Sequence, residues 1–416
     1  MKTGYFLPQT IGRCLGCGSK LPDAFLDLGE MPLANSYIEA GDKDKEEPFY
    51  KLAVAYCPRC HLVQITHVVA PEDLFSNYLY FSSFSDVFLK HAEAMAQGLT
   101  EKFALDSNSL VLEIGSNDGY LLEFFREKGI PVLGIEPAKN IAVVANEKGI
   151  PTIDVFFGPD SVDKIIREKG QPNIIIGNNV LAHVPLINDF LLSVNECLKP
   201  TGSAVFEFPY LKDLLEHTEF DTIYHEHVFY YSLSAIKILA QRAGLELYDV
   251  TRQDIHGGSL RVFLQNEKQY DISSNVKQML SDEEEYGITS KSLYDSFAKK
   301  VGGLKAELTQ LLKDLKKNGK TIAAYGAAAK GNTLLNYIGI DKNMIDFVVD
   351  RSPYKQGLLL PGTRIPVLHP DELLKRMPDY TLVLIWNFAE EIMKQQAEYR
   401  RRGGRFIIPI PEPRGM

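Results

Sequence analysis

The chain has 416 residues, 45% hydrophobic and 24% charged, with a net charge of −9. That composition fits two or three folded domains and excludes long-range disorder. The negative balance argues against a nucleic-acid partner, which needs clustered Lys and Arg for phosphate contacts, but leaves room for one small anion held locally.

No apolar run reaches the about 20 residues that cross a bilayer, so no membrane partner is expected. Met1–Gln9 carries one Lys and no long apolar core, which does not read as a secretory signal, so a cytoplasmic location is the default expectation.

Residues 1–70 read as a small zinc-binding module. Cys14-Leu-Gly-Cys17 and Cys57-Pro-Arg-Cys60 are two C-x-x-C knuckles with 39 residues between Cys17 and Cys57. This pattern presents four thiolates tetrahedrally. Disulfides are disfavoured in a reducing cytosol, and a redox pair needs only one such knuckle. Four thiolates leave no open position for water, so the expected Zn2+ is structural. Cys197 reads as a buried apolar residue. Asp27–Asn35 reads as a loop, and Leu52–Tyr56 and Leu62–Ile65 read as short strands beside the second knuckle.

An aromatic segment with Tyr78 and Tyr80 precedes a helix that ends near residue 105. From about residue 108, apolar strands alternate with helices: strands at Leu110–Ile114, Val132–Ile135, Asn173–Gly177 and Ser203–Phe208, with a helix at Phe190–Leu198. That alternation predicts a doubly wound α/β sheet. The turn after the first strand reads Glu113-Ile-Gly115-Ser-Asn117-Asp118-Gly119. Its G-x-x-x-G pattern lacks the third Gly of the dinucleotide fingerprint, and the two glycines allow close backbone approach to a ligand.

Glu136, followed by Pro137, ends the second strand and is placed to take both hydroxyls of a ribose. Together these resemble the S-adenosylmethionine site of class I methyltransferases, a cofactor without phosphates; a tight turn with no ligand is the bland alternative. Asn178 and Asn179 end the strand beside the methionyl part of such a cofactor. His183 follows at the cleft mouth, where a structural cap is the competing role.

Tyr224-His-Glu-His227 concentrates a proton donor, an acid and two imidazoles. As a strand it would split Tyr224 and Glu226 from the two histidines; as a helical turn it would bring Tyr224 toward His227. A polar loop and a metal-binding His pair are the bland alternatives. His256-Gly-Gly-Ser259-Leu-Arg261 reads as a turn that could reach a substrate; a Gly-Gly hairpin with no function is the alternative.

A charged helical connector over residues 280–317 leads to a second βα unit. It comprises Thr321–Tyr325, a small-residue turn, a helix around Asn332–Tyr337, and strands at Ile345–Asp350, Leu382–Trp386 and Phe406–Ile410. The turn Tyr325-Gly326-Ala-Ala-Ala-Lys330-Gly-Asn332 places Lys330 at a helix N-terminus, where an anion is favoured, and Arg351 and Lys355 add positive charge nearby. A diphosphate fits this chemistry; a structural Rossmann repeat is the alternative.

In this order the motifs resemble, over essentially the whole chain, the sugar C-methyltransferase family of deoxysugar biosynthesis, of the tetronitrose C-3 methyltransferase type. The resemblance implies a class I methyltransferase sheet between an N-terminal zinc module and a C-terminal Rossmann-like domain, with boundaries at 1–70, 71–285 and 286–416. It implies S-adenosyl-L-methionine as cofactor and a nucleotide-sugar substrate, methylated at C-3 of a dTDP-linked 4-keto-6-deoxysugar.

Carried over by motif, Tyr224, Glu226, His227, His183 and Tyr78 are catalytic. Tyr80, Glu113, Gly115, Asn117, Asp118, Gly119, Glu136, Pro137, Asn178 and Asn179 are expected to hold the cofactor. His256, Ser259, Arg261, Tyr325, Gly326, Lys330, Asn332, Arg351 and Lys355 face the substrate. His227 is expected to be the base with Glu226 orienting it, and Tyr224 and His183 to hold the enolate oxygen. His225 departs from the family pattern, which has an acid there, and receives no role. Transfer to oxygen or nitrogen of a nucleotide sugar, a non-catalytic scaffold, and an NAD-dependent enzyme are the competing readings; the glycine pattern disfavours the last. Oligomeric state is not readable from the sequence.

Overall fold

The computed structural model describes residues 9–70, 74, 83, 86–255 and 257–415. At its centre a seven-stranded sheet runs in the order Glu246–Gln253, Ser259–Gln265, Ser203–Pro209, Ile174–Asn178, Val111–Ile114, Val132–Ile135, Thr152–Ile153. The last five are parallel, and the 246–265 hairpin adds antiparallel to Ser203–Pro209.

Val111–Ile114 is buried at every position, Glu113 included, as a central strand covered by helices on both faces requires. The chain leaves this first strand toward Val132–Ile135 on one side and later returns on the other through Ile174–Asn178. The strand order therefore reverses here, and the crevice at these strand ends is where such sheets bind ligands.

The N-terminal module is an antiparallel sheet of Leu26–Met31, Tyr50–Tyr56 and Val63–Ile65. Its fourth strand, Phe229–Tyr230, comes from the central part of the chain. Leu26–Met31, expected as loop, is a strand. A register irregularity between Asp27 and Glu30, with Gly29 at φ +88°, hides the alternation from the sequence.

The C-terminal sheet orders Val367–Leu368, Val348–Val349, Ile322–Tyr325, Tyr380–Val383, Arg405–Ile408 and Arg414–Gly415, all parallel except the last. The connector is two helices, Ser274–Tyr286 and Lys291–Lys317.

These three parts share one interior. A single cluster of buried apolar side chains continues from Cys14 and Leu52 through Ile114 and Leu181 to Leu334 and Val348. Ile38–Glu39 of the N-terminal part pairs antiparallel with Leu358–Leu359 of the C-terminal part. Glu47 accepts the Gly362 N–H at 3.0 Å and pairs with Arg364 at 3.0 Å. Tyr56 stacks on Tyr294 of the long helix with ring centroids 4.4 Å apart.

The buried Glu283 carboxylate accepts the N–H groups of Leu233 (2.6 Å) and Ser234 (2.8 Å). It thereby caps the helix Leu233–Arg242 at the end where a negative charge is favoured.

Candidate active site

Cys14, Cys17, Cys57 and Cys60 converge with all four sulfurs within 4.8 Å of one another. Cys14 and Cys60 lie 3.5 Å apart and Cys17 and Cys57 3.6 Å. Zinc held tetrahedrally at ~2.3 Å from each thiolate sets sulfurs about 3.8 Å apart, so the donor set fits the ion. The Cys14 thiol is drawn down to about 5, chiefly by the Cys60 S–H that it accepts. Cys197 is buried, away from this cluster.

The crevice at the strand reversal is lined by acids. Glu113 is fully buried, and among the described residues neither of its carboxyl oxygens has a hydrogen-bond partner. Burial pushes its pKa well above the usual carboxylate range, with Glu136 and Asp118 adding repulsion. Such a group calls for a donor or a cation. Glu136 is held by backbone: its oxygens accept the N–H groups of Asn117 (3.0 Å) and Ala138 (2.9 Å), so it folds over Pro137. Asp118 accepts from Lys148 at 2.7 Å and from the Ser83 hydroxyl through one oxygen, and its other oxygen has no partner among the described residues.

The two glycines answer to the protein's own packing. A Cβ on Gly115 (φ +67°) would meet Val180 at 2.7 Å, and one on Gly119 (φ +81°) would meet Ile150 at 2.8 Å. Packing alone therefore calls for glycine at both positions. Asn178 donates to the Met95 sulfur at 3.4 Å, its Oδ1 has no partner among the described residues, and the Asn179 N–H bonds the Glu207 carbonyl at 2.7 Å. Buried acids beside a turn pinned to the next strand end fit an S-adenosylmethionine molecule with its ammonium and ribose hydroxyls.

Val180 lies three residues before His183, which carries the crevice to the second cluster. Residues 224–227 form a turn in which the His227 N–H bonds the Tyr224 carbonyl at 2.9 Å, so the turn alternative holds and the strand alternative does not. The Tyr224 hydroxyl lies 2.9 Å from His227 Nε2, and His227 Nδ1 lies 3.0 Å from the Thr222 carbonyl. A carbonyl only accepts, so Nδ1 carries the proton and Nε2 accepts the Tyr224 O–H.

By the same logic His183 Nδ1 donates to the Glu226 carbonyl at 2.7 Å, which puts its lone pair on Nε2. Burial pulls the His183 pKa down to about 4, against the upward pull of that bond. Neutral His183 therefore offers an acceptor at Nε2, not the donor expected for an enolate oxygen. The His183 and His227 rings lie 4.9 Å apart, and both are only partly buried.

Glu226 differs from expectation as well. Its carboxyl does not reach His227, whose orientation comes from the Thr222 carbonyl; it accepts the Asn35 amide at 2.6 Å. Burial raises Glu226 to about 7, with Asn35 pulling the other way. His225 points away from the cluster. It is buried, 3.3 Å from the Tyr50 carbonyl and edge-on to the Tyr50 ring, and burial lowers it to about 4. It fastens the turn to the N-terminal sheet.

The C-terminal turn spends its polar groups on neighbouring parts of the chain. Lys330 donates to Asn387 and lies 4.3 Å over the Trp386 ring, whose N–H donates to the buried Asp221 at 2.8 Å. Burial raises Asp221 to about 6 and Glu219 to about 8, with Lys330 pulling both down.

Asn332 donates to the Ala34 carbonyl at 2.6 Å, Lys355 to the Ala327 carbonyl at 2.7 Å, and the Asp350 carboxylate accepts the Ala327 N–H at 2.7 Å. Tyr325 is buried, and Gly326 (φ +96°) packs under Ile385. Arg351 is exposed, with no ion pair among the described residues.

Ser259 is fully buried and donates to the Ile255 carbonyl at 3.1 Å, and Arg261 grips Glu207 at 2.9 and 3.0 Å. These two expected substrate contacts are engaged in the central sheet, because strand alternation turns them inward. Burial acts to raise Glu207, yet His91 and Arg261 hold it below the usual range.

Tyr78, Tyr80 and His256 lie outside the described residues. Asn35, Asp221, Trp386 and Glu207 were missed by sequence reasoning. Asn35 stands in an ordinary-looking loop, and nothing local marks it.

The comparisons cover the same three parts. Residues 14–75 match a family described as a candidate zinc binding domain, 88–250 a methyltransferase domain, and 254–411 the C-methyltransferase C-terminal domain. Over 410 residues the chain is 38% identical to the C-methyltransferase NovU of Streptomyces niveus, covering 98% of this chain and 97% of that protein. Among solved structures, an S-adenosylmethionine-dependent methyltransferase of Clostridium acetobutylicum is 10% identical, with a TM-score of 0.35 over 44% of this chain and 93% of that one. Magnesium protoporphyrin IX methyltransferase of Synechocystis, solved with its cofactor bound, is 11% identical with a TM-score of 0.32, over 46% and 88%. The family assignment rests on the full-length relative.

Proposed function

The chain belongs to the C-methyltransferase family, and on that premise we propose that it methylates C-3 of a nucleotide-linked, dTDP-type 4-keto-6-deoxysugar through an enolate. The observation that carries this reading is the hydrogen-bonded Tyr224–His227 pair, set across from His183 at the rim of the cofactor crevice. Carbon becomes nucleophilic only after a proton next to a carbonyl is removed. Transfer to oxygen or nitrogen needs no enolate, so exchange of the substrate C–H proton separates the two.

When bound, S-adenosylmethionine supplies an electrophilic sulfonium methyl. The protein does the rest. Glu113 would hold the ligand's ammonium, and Glu136, set by the Asn117 N–H, its ribose hydroxyls. His227 Nε2 takes the C-3 proton, and the Thr222 carbonyl on Nδ1 steadies the imidazolium that results. The Tyr224 hydroxyl, released from Nε2, turns to the C-4 oxygen and holds the developing negative charge. Neutral His183 accepts a hydrogen bond from a sugar hydroxyl or amine. Arg351 and Lys355 lie on the side expected to receive the diphosphate.

The test is exchange of the substrate C-3 proton into deuterated water by the His227→Asn variant. Exchange should fall by roughly 10²–10⁴-fold, the contribution of a positioned base. Wild-type exchange in that variant would remove His227 from the role. A panel of 4-keto nucleotide sugars, read by mass for one added methyl and by NMR for its position, identifies the substrate.

A further inference from the structure

The reaction is read on the central and C-terminal parts of the chain, yet the one group that hydrogen-bonds the Glu226 carboxyl among the described residues comes from the N-terminal part. Asn35 donates its amide to Glu226 Oε1 at 2.6 Å across 191 residues of sequence. Glu226 is 5% exposed, whereas Asn35 is exposed on its other side, so the contact sits at the wall between the cleft and the interior.

Asn35 belongs to a short strap that is tied at both ends. Ala34 accepts the Asn332 amide at 2.6 Å, and the Tyr37 hydroxyl donates to the Ala327 carbonyl at 2.5 Å. The Lys355 ammonium shares that carbonyl at 2.7 Å and lies 5.4 Å over the Tyr37 ring. Within the strap the Tyr37 N–H bonds the Asn35 carbonyl and the Ser36 N–H bonds the Leu33 carbonyl, at 3.0 and 3.1 Å. Residues 33–37 thus lie between the acid of the catalytic turn and the glycine-containing turn of the C-terminal domain.

We propose that Asn35 is a positioning residue that holds Glu226 in place, and that the strap Leu33–Tyr37 links the C-terminal turn to that acid. The chemistry supports it. A buried carboxyl with one donor depends on that donor for both its direction and its charge. The amide stabilises the ionised form, opposing the rise that burial imposes on Glu226. An N-terminal module otherwise built around four cysteines therefore reaches the turn of Tyr224 and His227 through one side chain. The role in turnover rests on the functional reading above; the holding of Glu226 does not.

The experiment follows the carboxyl carbon of Glu226 by NMR in full-length, zinc-loaded protein labelled at glutamate, with the resonance assigned by its loss in Glu226→Gln. Asn35→Ala should move its titration midpoint upward. Asn35→Asp, nearly identical in shape, should move it further, because two carboxyls 2.6 Å apart share a proton. Tyr37→Phe, which loses only the hydroxyl, should shift it in the same direction by less. In turnover, Asn35→Ala should lower kcat about tenfold with KM little changed and carry the acidic limb of the pH profile upward. Melting temperatures near wild type keep these results apart from a folding defect.

An unmoved Glu226 midpoint in both Asn35 variants would overturn the proposal, as would a rise in KM alone, which would make Asn35 a substrate contact. A moved midpoint in a protein that exchanges no C-3 proton would uphold the holding of Glu226 and sink the functional reading instead.

Discussion

The two glycine-containing turns, Glu113–Gly119 and Tyr325–Asn332, are built alike: a buried parallel strand, small residues, then a helix. Their polar groups are wired in opposite ways. The first leaves both oxygens of Glu113 and one of Asp118 without a partner among the described residues, in a buried crevice. The second ties Lys330 to Asn387 and Trp386, Asn332 to Ala34, and Asp350 and Lys355 to Ala327. The first is poised for a ligand, and the second also serves as a joint between parts of the chain. The glycines do not distinguish them, since in both turns the space of a Cβ is taken by the protein's own aliphatic side chains.

The largest expected effect attacks both turns from outside. Zinc removal by a chelator withdraws about 10 kcal/mol from the N-terminal module and should unfold it. Because that module supplies partners to Glu226 and Asn332, methyl transfer and the melting temperature should be lost together.

Glu113→Gln comes next. Calorimetry should show S-adenosylmethionine affinity falling by roughly 10–100-fold, the worth of a charge-assisted bond, with nucleotide-sugar affinity unchanged. In the wild type the free carboxyl titrates well above its ordinary range, and a bound ammonium would lower it. Cofactor binding should therefore release a proton and strengthen as pH rises, which is read from the buffer dependence of the binding heat.

Lys330→Met tests the joint. Removing the cation leaves Asp221 and Glu219 facing each other, so stability should drop by about 1–3 kcal/mol, discounted for partial exposure. A protein that melts normally but binds nucleotide sugar poorly would make this turn a pure diphosphate site and erase the contrast. The smallest effect is that of Arg351→Ala, which should weaken nucleotide-sugar binding several-fold without touching the melting temperature.

A pH series refines the picture. Glu226 titrates near 4.5 when unfolded and at about 7 when folded, because burial disfavours its charge. Its stabilising share is therefore whole below pH 4.5 and is lost as pH rises toward and through 7. Glu226→Gln should flatten the fall in melting temperature between pH 5 and 8.

The parallel strands were legible because Val111–Ile114 and Val132–Ile135 are short, mostly apolar runs, the first followed by Gly115 and the second preceded by Pro131, and the zinc ligands because spacing alone defines them. Other features were not. Ile345–Asp350 reads as a strand, but only Val348–Val349 pairs in the ladder, and Trp386 leaves its strand to reach Asp221. The orientation of His227 was assigned to its neighbour Glu226, whereas the turn hands it to Thr222 and sends Glu226 to Asn35. Adjacency in sequence was mistaken for adjacency of side chains. A bond spanning 191 residues leaves no local trace.

The pairing of Ile38–Glu39 with Leu358–Leu359, and the Asn332 bond to Ala34 across 298 residues, have a temporal meaning as well. A chain made from its N-terminus exposes both cysteine knuckles early, yet these contacts cannot form until most of the polypeptide has left the ribosome. The strap beside Glu226 is completed late in synthesis, so a nascent chain stopped after the methyltransferase sheet would be able to bind cofactor before it could hold its acid in place.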